Sequence, residues 1–504
     1  MAVDIAAPGT STRTPVPRPW LTFAVLAATA ALTILDVSKV GVALPAIQAS
    51  TGGEGSTVQF MLVGYTLAYA VFLLPAGRVG DVLPRKAVFL TGAFAFLVAS
   101  VICALAPDIG WLVAGRLVQG AGAGILMPQV LGLIQRIFPA GERAKPLAML
   151  AVVTASTSVF GPVLAGVVMQ LVNTPEAWRA LFWINVAVGV VVLPLAWRFI
   201  REPESERRHG FDWVGVALLA PAVVLTIAPL STISTDTPAT LATLGITLLG
   251  LLFGFAFVRY EIRRSRSGLQ ALVDPLLFGF RHLTSGVVIS GFMYAAGTAG
   301  TLVITIGLQQ SAGQTALQTA LWMLPAAGAM VLGSWITGRL PQTRSYRLIA
   351  VGTGLGAVTL LSVAVAFGSA PSAILPGIVC GLLVINSFGS ALSGPPNQAR
   401  ALVEVPDYRS SIAGSLIQFS QRVGSAIGMA LALILYYGFE FAPVPLTGAP
   451  TLGPTLAIAL TALFLAAATT IALLDREGSG RAMRLGRVRP VPTSTPGPVR
   501  SSES

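Results

Sequence analysis

Long apolar stretches alternate with short polar segments along almost the whole chain. Each stretch is close to the roughly 20 residues that a helix needs to cross a bilayer. The pattern predicts fourteen membrane-spanning helices. Their expected ranges are 20–45, 58–78, 87–106, 111–135, 146–171, 180–199, 212–231, 239–258, 283–308, 315–338, 347–367, 372–394, 410–437 and 451–474.

The loops between these spans alternate in charge, which predicts the direction of each helix. Short loops rich in Lys and Arg stay on the cytoplasmic side of a membrane. Basic residues gather in every second loop: Arg78, Arg85, Lys86, Arg136, Arg143, Lys145, Arg198, Arg201, Arg207, Arg208, Arg259, Arg263, Arg264, Arg266, Arg281, Arg339, Arg344, Arg347, Arg400 and Arg409. Both termini are therefore expected in the cytoplasm. The first apolar stretch lacks a small-residue cleavage site, so we interpret it as a retained span.

Composition narrows the class of protein further. Hydrophobic residues make up 54% of the chain and charged residues 10%, against roughly 25% charged residues in soluble domains. This excludes a water-soluble enzyme, a secreted disulfide scaffold and a disordered regulator. The net charge of +12 resides in the loops and does not indicate a nucleic-acid partner. Cys103 and Cys380 each lie inside an apolar stretch, where we interpret them as small buried hydrophobes.

A weak internal repeat predicts how the spans are grouped. Residues 74–79 close the second span and 336–340 close the tenth on the same side of the membrane. We therefore expect an all-α protein of two six-helix bundles with two helices inserted between them. The expected divisions are a cytoplasmic segment 1–19, an N-terminal bundle 20–200, an inserted pair 201–275, a C-terminal bundle 276–475 and a basic disordered tail 476–504. Transporters built from such repeats bind their substrate between the repeats.

Four ionisable residues are predicted to lie inside the bilayer: Asp36 and Lys39 in the first span, Arg116 in the fourth and Arg422 in the thirteenth. Such residues are costly in lipid and usually mark an ion or substrate pathway. A rise of about 1.5 Å per residue places Asp36 roughly 14 Å below the outer surface and Lys39 and Arg116 roughly 9 Å below it. These three side chains could meet, whereas Arg422 is expected near the midplane of the other bundle.

Two interpretations of Asp36 follow from its surroundings. Burial disfavours the ionised carboxylate, whereas a neighbouring Lys39 or Arg116 favours it. A carboxyl group balanced in this way can gain or lose a proton when water reaches it from one side, which indicates a proton or substrate role. The alternative is a neutralised pair of Asp36 with Lys39 that only allows the first span to carry polar residues.

Other kinds of active centre find no support in the sequence. None of the three lysines follows the glycine-rich spacing that binds phosphate, so the chain is not expected to use ATP itself. We interpret His209 and His282 as solvated loop residues. No cluster of His, Cys or carboxylate residues has the spacing of a metal or catalytic site, so we expect neither a metal, nor a cofactor, nor an enzymatic activity.

The first span also carries a family motif. Residues 35–45 read LDVSKVGVALP, which resembles the pattern LDxTxVNVALP of the major facilitator superfamily, in its fourteen-span drug:proton antiporter branch. The resemblance implies that Asp36 is the proton-linked carboxylate. Lys39 stands where the family usually has an apolar residue, and Ser38 and Gly41 are further departures.

The loop after the second span resembles a second family motif, GxLaDrxGrk, at residues 77–86. The resemblance implies an inner gate formed by Gly77, Asp81, Arg85 and Lys86. In this gate Asp81 would connect the two bundles, and Arg85 and Lys86 would anchor the turn. Val82 and Pro84 depart from the pattern.

Two further motifs lie in the fourth and fifth spans. Residues 115–122 resemble RxxQGxGaa, which implies that Arg116 takes part in proton transfer. Residues 157–166 resemble gxxxGPxxGG of the antiporters and contain Gly161, Pro162 and Gly166, which we interpret as a packing hinge. Shorter similar segments are residues 178–185, 211–215 and 421–428, the last of which contains Arg422 as a candidate cavity charge.

The function expected from these features is secondary export across a bacterial plasma membrane. Substrates would be small amphiphilic drugs or antibiotics, driven by the proton gradient and moved by alternating access, with protons, substrate and the lipid bilayer as partners. One alternative on the same scaffold is a proton-linked metabolite transporter, either an uptake symporter or an exporter of an endogenous compound. Another is a membrane sensor or scaffold that does not transport.

Overall fold

A computed structural model describes residues 18–52, 55–139, 142, 144–200, 211–232, 240–340, 345–406, 410–439 and 452–484. These residues form helices joined by short connections, and none of them lies in a β-strand. Fourteen of the helices are long and apolar enough to cross a membrane. The predicted number and positions of the spans are therefore confirmed.

The helices are numbered in chain order. They are α1 (Pro19–Thr51), α2 (Gly55–Val82), α3 (Arg85–Ala104), α4 (Ile109–Ile137), α5 (Ala144–Val172), α6 (Trp178–Phe199), α7 (Trp213–Ile227), α8 (Leu241–Arg266), α9 (Arg281–Gln310), α10 (Ala316–Thr337), α11 (Ser345–Ser369), α12 (Leu375–Leu402), α13 (Ser410–Gly438) and α14 (Leu452–Arg484).

Capping residues explain where several helices begin. The Asp108 side chain accepts a hydrogen bond of 3.1 Å from the backbone N–H of Trp111 at the start of α4. The Asp212 side chain likewise accepts a hydrogen bond of 2.9 Å from the backbone N–H of Gly215. Asp212 therefore caps α7, which begins at Trp213, one residue after the predicted start of this span. Thr240 and Thr315 form capping boxes at α8 and α10. Each cap satisfies backbone N–H groups that have no partner inside the helix.

Other helix ends differ from the prediction. The helix α14 continues past the predicted boundary at 475 as far as Arg484, and α12 continues through Pro395 and Pro396 to Leu402. A short 3₁₀ helix at Pro275–Gly279, which the sequence did not predict, precedes α9. These differences arise because hydropathy marks the lipid-buried part of a helix, whereas hydrogen bonding continues into the polar region.

Helices α1–α6, here called the N half, and α9–α14, called the C half, pack in the same pattern. In the N half α4 lies against α2 and α3, and α1 lies against α5 and α6; in the C half α12 lies against α10 and α11, and α9 against α13 and α14. The main contacts between the halves are α2 with α13 and α5 with α10. The second helix of each half therefore packs against the fifth helix of the other half, which gives two lines of contact between the halves.

The inserted helices α7 and α8 pack against each other, and α7 also contacts α2. Much of α8 presents exposed apolar side chains, including Leu248, Leu252 and Phe255, as expected for a surface that faces lipid. At its predicted cytoplasmic end, Arg264 forms an ion pair of 3.2 Å with Asp212.

The segment that leads from α8 into the C half is held by the N half and by α8. The Arg78 guanidinium at the end of α2 donates hydrogen bonds to the carbonyl oxygens of Ala271 and Leu272. The buried Glu261 carboxylate of α8 accepts a hydrogen bond of 3.0 Å from the backbone N–H of Val273. These contacts lie at the predicted cytoplasmic end of α2.

Candidate functional site

The Asp36 carboxylate lies inside the N half with no exposed surface. Arg116 of α4 donates a hydrogen bond to its Oδ2 and forms an ion pair with it. The Nζ atom of Lys39 lies 3.5 Å from Oδ1. The structure therefore brings together the three residues that the sequence placed at similar depths.

Polar residues that the sequence analysis did not select complete this group. The Nδ2 atom of Asn185 in α6 donates a hydrogen bond of 2.6 Å to Asp36, and Lys39 donates one to the Asn185 oxygen. Gln119 in α4 donates to Asp36 at 3.3 Å and to Ser100 of α3 at 2.9 Å. The site thus draws on four helices of one bundle. We call these six residues the Asp36 cluster.

The electrostatics of the Asp36 cluster favour an ionised carboxylate. Two cations and two amide donors face Asp36, and each of these contacts stabilises the charged form. Burial works in the opposite direction, because a charge removed from water loses its hydration. One carboxylate among two cations also leaves excess positive charge. Proton binding to Asp36 would therefore raise that excess and loosen the contacts to Arg116 and Lys39.

Two tyrosines of α2 separate the Asp36 cluster from the C half. The Arg116 guanidinium lies 4.0 Å from the centroid of the Tyr65 ring, and the Tyr65 hydroxyl donates to the Thr33 carbonyl at 3.4 Å. Tyr69 is one turn further along and meets Tyr65 edge to face at 6.3 Å. The Arg422 guanidinium of α13 lies 4.4 Å from the Tyr69 ring centroid. Two stacked arginine–tyrosine pairs therefore connect the two halves.

Glycines in α4 allow the tyrosines to approach. A Cβ atom on Gly120 would lie 2.2 Å from the carbonyl oxygen of Tyr65, and one on Gly124 would lie 2.5 Å from that of Tyr69. Only glycine permits such contacts between two helix backbones. These two glycines of α4 thus bring α2 against the helix that carries Arg116.

The predicted inner-gate residues occupy the junction of α2 with α3. Arg85 is buried and donates to the Pro128 carbonyl of α4 at 3.3 Å, and Lys86 donates to the Trp197 carbonyl of α6 at 2.6 Å. Both residues thus donate to backbone carbonyls of other helices in the N half. The side chain of Asp81 lies outside the described residues.

The close approach at this junction occurs at a glycine that we did not single out. A Cβ atom on Gly77 would meet its nearest neighbour, Pro128, at 3.7 Å, which is an ordinary contact. A Cβ atom on Gly80 would lie 2.1 Å from Oε1 of Gln129. The Nε2 atom of Gln129 donates a hydrogen bond of 2.7 Å to the Ala76 carbonyl, which fixes that side chain in place.

The predicted hinge in α5 contacts both halves. Pro162 lies inside the helix. A Cβ atom on Gly161 would lie 2.6 Å from the Cβ of Ser38, two residues after Asp36 in α1. A Cβ atom on Gly166 would lie 2.7 Å from the Cα of Leu317 in α10. The small residues of this motif therefore join the helix that carries Asp36 to a helix of the C half.

The interpretation of His282 as a solvated loop residue is wrong. It lies in the first turn of α9, where its Nδ1 is 3.1 Å from the Asp475 carboxylate and its Nε2 is 3.4 Å from Glu404. Arg281 and Arg400 also pair with Asp475, at 3.2 and 2.9 Å. His209 lies outside the described residues. No group of three His, Cys, Asp or Glu residues in the described part of the chain could hold a metal ion.

Comparison with known proteins agrees with this architecture. Residues 26–429 match the family model of the Major Facilitator Superfamily. The fold also resembles a solved bacterial homolog of the human lysosomal transporter Spinster, with a TM-score of 0.65 and 15% identity over 92% of this chain and 98% of that one.

Three curated relatives are similar in sequence. A "Probable actinorhodin transporter" of Streptomyces coelicolor is 30% identical over 84% of this chain and 73% of the relative. A "Tetracenomycin C resistance and export protein" of Streptomyces glaucescens is 28% identical over 83% and 76%. The riboflavin transporter RibZ of Clostridioides difficile is 26% identical over 82% and 87%.

Proposed function

Because the chain belongs to the Major Facilitator Superfamily of membrane transporters, we propose that it is a proton-coupled exporter of small amphiphilic molecules such as antibiotics. It works by antiport and alternating access in a bacterial plasma membrane. Two of the similar relatives are named for transport or export of antibiotics, which supports the substrate class.

The observation that carries the proposal is the Asp36 carboxylate, buried between two cations and two amide donors in the middle of a transporter bundle. Burial disfavours the charged carboxylate, whereas the two cations favour it, so two opposing effects act on this one group. The additional positive charge lowers the cost of releasing a proton, and the closed surroundings ensure that exchange requires a conformational change. Both properties suit a carboxylate that is loaded on one side and unloaded on the other.

Helix contacts provide a path from protonation to movement. When Asp36 binds a proton, its attraction to Arg116 and Lys39 falls, so α1 and α4 are free to shift relative to each other. The helix α1 touches α5 at Ser38 and Gly161, and α5 touches α10 of the C half at Gly166 and Leu317. A change at Asp36 therefore reaches a contact between the halves through one intervening helix.

The energy available from protons is adequate for export. The membrane potential contributes about 2.3 kcal/mol per elementary charge per 100 mV. One proton exchanged for one neutral substrate molecule would sustain a gradient of some tens-fold from voltage alone.

The proposal is tested with N-phenyl-1-naphthylamine, a neutral fluorescent amphiphile, in inverted vesicles from a pump-deficient bacterial host. An acid vesicle interior should drive the probe into vesicles that carry the wild-type protein. Asp36→Asn should abolish this uptake. Asp475→Asn, which removes a different buried carboxylate, should preserve it. Proton-driven uptake that persists in Asp36→Asn would overturn the proposal.

Folding must be separated from coupling in this experiment, because Asp36→Asn leaves Lys39 and Arg116 without their anion. The double variant Asp36→Asn/Lys39→Met removes one of these cations and should elute as a monodisperse peak in size-exclusion chromatography. It should be as inactive as the single variant. Recovery of proton-driven transport in the double variant would contradict a role for Asp36.

A second candidate function is a proton-linked metabolite transporter, which the similarity to RibZ favours. Riboflavin replaces the amphiphile in the same vesicles. An acid interior would move riboflavin into inverted vesicles if the protein exports it by antiport, and out of preloaded vesicles if it is an uptake symporter. Direction of movement therefore distinguishes the alternatives.

A further inference from the structure

Arg422 carries a charge that the Asp36 cluster does not use. It lies near the middle of α13, it is half-buried, and no carboxylate among the described residues lies within ion-pair distance of it. Its Nε atom is buried without a hydrogen-bond partner. An arginine near the centre of a membrane helix costs about 2.5–3.5 kcal/mol on insertion scales. A cation retained at this cost without a protein anion indicates that the anion comes from elsewhere.

The packing of α13 directs Arg422 towards the N half. A Cβ atom on Gly424 would lie 2.1 Å from the Gly291 carbonyl and one on Gly428 would lie 2.4 Å from that of Ala295, so this face of α13 is pressed against α9. At 3.6 residues per turn, a residue two positions before Gly424 lies on the opposite face. That face meets α2, where the guanidinium stacks on Tyr69.

The surroundings of Arg422 combine aromatic surface with an unpaired polar atom. The Arg422 guanidinium covers the buried Tyr69 ring, and its Nε atom has no hydrogen-bond partner. Tyr294 of α9 lies against α13, since its backbone carbonyl accepts a hydrogen bond of 3.5 Å from the Ser425 hydroxyl, and its side chain is 37% exposed. The three side chains come from α2, α9 and α13, and thus from both halves. An exposed aromatic ring beside a cation with an unpaired donor suits a flat molecule that carries an acidic group.

We propose that Arg422, supported by Tyr69 and Tyr294, forms an anion-recognition subsite that binds the acidic group of an aromatic amphiphilic substrate. The inference rests on the proposed export function and specifies its substrate class. Arg422, held against the buried Tyr69 ring, donates hydrogen bonds to the anionic oxygens, and the exposed Tyr294 ring contacts the aromatic body. The subsite spans both halves, so an occupied site links them through the ligand.

The test compares two fluorescent probes that share one ring system. 8-Anilino-1-naphthalenesulfonate carries a sulfonate, and N-phenyl-1-naphthylamine is the same skeleton without it. Binding to purified full-length protein in phosphatidylcholine nanodiscs is measured by energy transfer from tryptophan, after subtraction of empty discs. Zwitterionic lipid excludes anionic headgroups as competitors, and phosphatidylglycerol discs show whether such headgroups displace the sulfonate probe.

Wild-type protein should bind the sulfonate probe more tightly than the neutral one. Arg422→Gln should weaken the sulfonate probe at least tenfold and leave the neutral probe within twofold, and Arg422→Lys should restore most of the loss. Arg339→Gln is the matched control, because Arg339 also stacks on an aromatic ring, 3.5 Å from the Trp335 centroid, but at the exposed end of α10. It should change neither affinity.

Equal loss of both probes in Arg422→Gln, or no loss of the sulfonate probe, would overturn the subsite. Displacement of the sulfonate probe by phosphatidylglycerol at stoichiometric amounts would also overturn it, since the anion would then be a lipid headgroup. These binding measurements use no proton gradient. If the binding predictions for Arg422→Gln fail while transport still depends on Asp36, only the subsite is rejected. If binding favours the charged probe but no proton-driven transport is found, only the proposed function is rejected.

Discussion

The two halves share a packing pattern, but they bury different kinds of polar group. At the contact of α1 with α4 the N half encloses Asp36 between cations. At the corresponding contact of α9 with α12 the C half encloses Asn397, which donates hydrogen bonds of 2.9 Å to Ser290 and to the Gly286 carbonyl. The described ion pairs of the C half lie instead at its predicted cytoplasmic end, around Asp475.

This difference separates two tasks on one scaffold. A neutral hydrogen-bonded group such as Asn397 fixes helix positions and keeps its state whatever the pH. A buried charged group changes its energy when a proton arrives. We therefore expect the N half to respond to protons and the C half to provide a stable counterpart against which it moves.

The largest expected difference is in stability. Asp36→Asn leaves two buried cations without an anion and should lower the free energy of unfolding by about 3–5 kcal/mol. Asn397→Ala removes neutral hydrogen bonds and should cost about 1–3 kcal/mol. Thermal unfolding of the purified variants measures both. Equal losses would mean that the charge in the N half has no special energetic role.

Removal of one cation should shift the pH dependence of transport. In Lys39→Met, Asp36 keeps Arg116 but loses the positive charge at 3.5 Å, so a proton binds at lower proton concentration. The pH profile of proton-driven transport should move upward by about 1–3 pH units. Transport rates measured at constant driving force between acid and alkaline pH provide the test. An unchanged profile would contradict the assignment of Asp36 as the titrating group.

Glycine substitutions test packing in matched helices of the two halves. Gly124→Ala in α4 forces a Cβ against the Tyr69 carbonyl and should destabilise the protein by about 1–3 kcal/mol. Gly381→Ala in α12 meets nothing within 4 Å and should stabilise it by about 0.5–1 kcal/mol, since alanine favours a helix. Opposite shifts in melting temperature are expected, and shifts of the same sign would refute the assigned contact.

The smallest effect is expected at the predicted cytoplasmic end of the C half. His282→Gln leaves Asp475 paired with Arg281 and Arg400, so the change in stability should stay below about 1 kcal/mol. The pH profile of transport should match that of the wild type. A clear shift in this variant would show that the C half also senses protons.

Much of the fold and part of the site were predictable from the sequence. Apolar stretches locate the spans because bilayer thickness fixes their length, and Asp36, Lys39 and Arg116 are conspicuous because charges are rare in lipid. Asn185, Gln119 and Ser100 were missed, since single uncharged polar residues are common in membrane helices and only a three-dimensional contact gives them meaning. The segment around Asn185 did resemble the family, but the resemblance assigned no role to its side chain.

Other features depend on distances that spacing along one helix does not specify. The stack of Arg116, Tyr65, Tyr69 and Arg422 involves three helices from both halves, and no pattern in α2 alone distinguishes it from ordinary aromatic packing. Gly80 was overlooked in favour of Gly77 because the family pattern names the first glycine, whereas the structure places the end of the Gln129 side chain against the second one.

The hydrogen bonds from Arg78 to Ala271 and Leu272 have a consequence for how the protein opens. They connect the segment that leads from α8 into the C half to the last turn of α2. The two halves therefore separate at this end only if these hydrogen bonds break or if the segment moves together with α2. If this segment moves with α2, then α7 and α8 move together with the N half. The chain then bends at the short 3₁₀ helix Pro275–Gly279, just before α9.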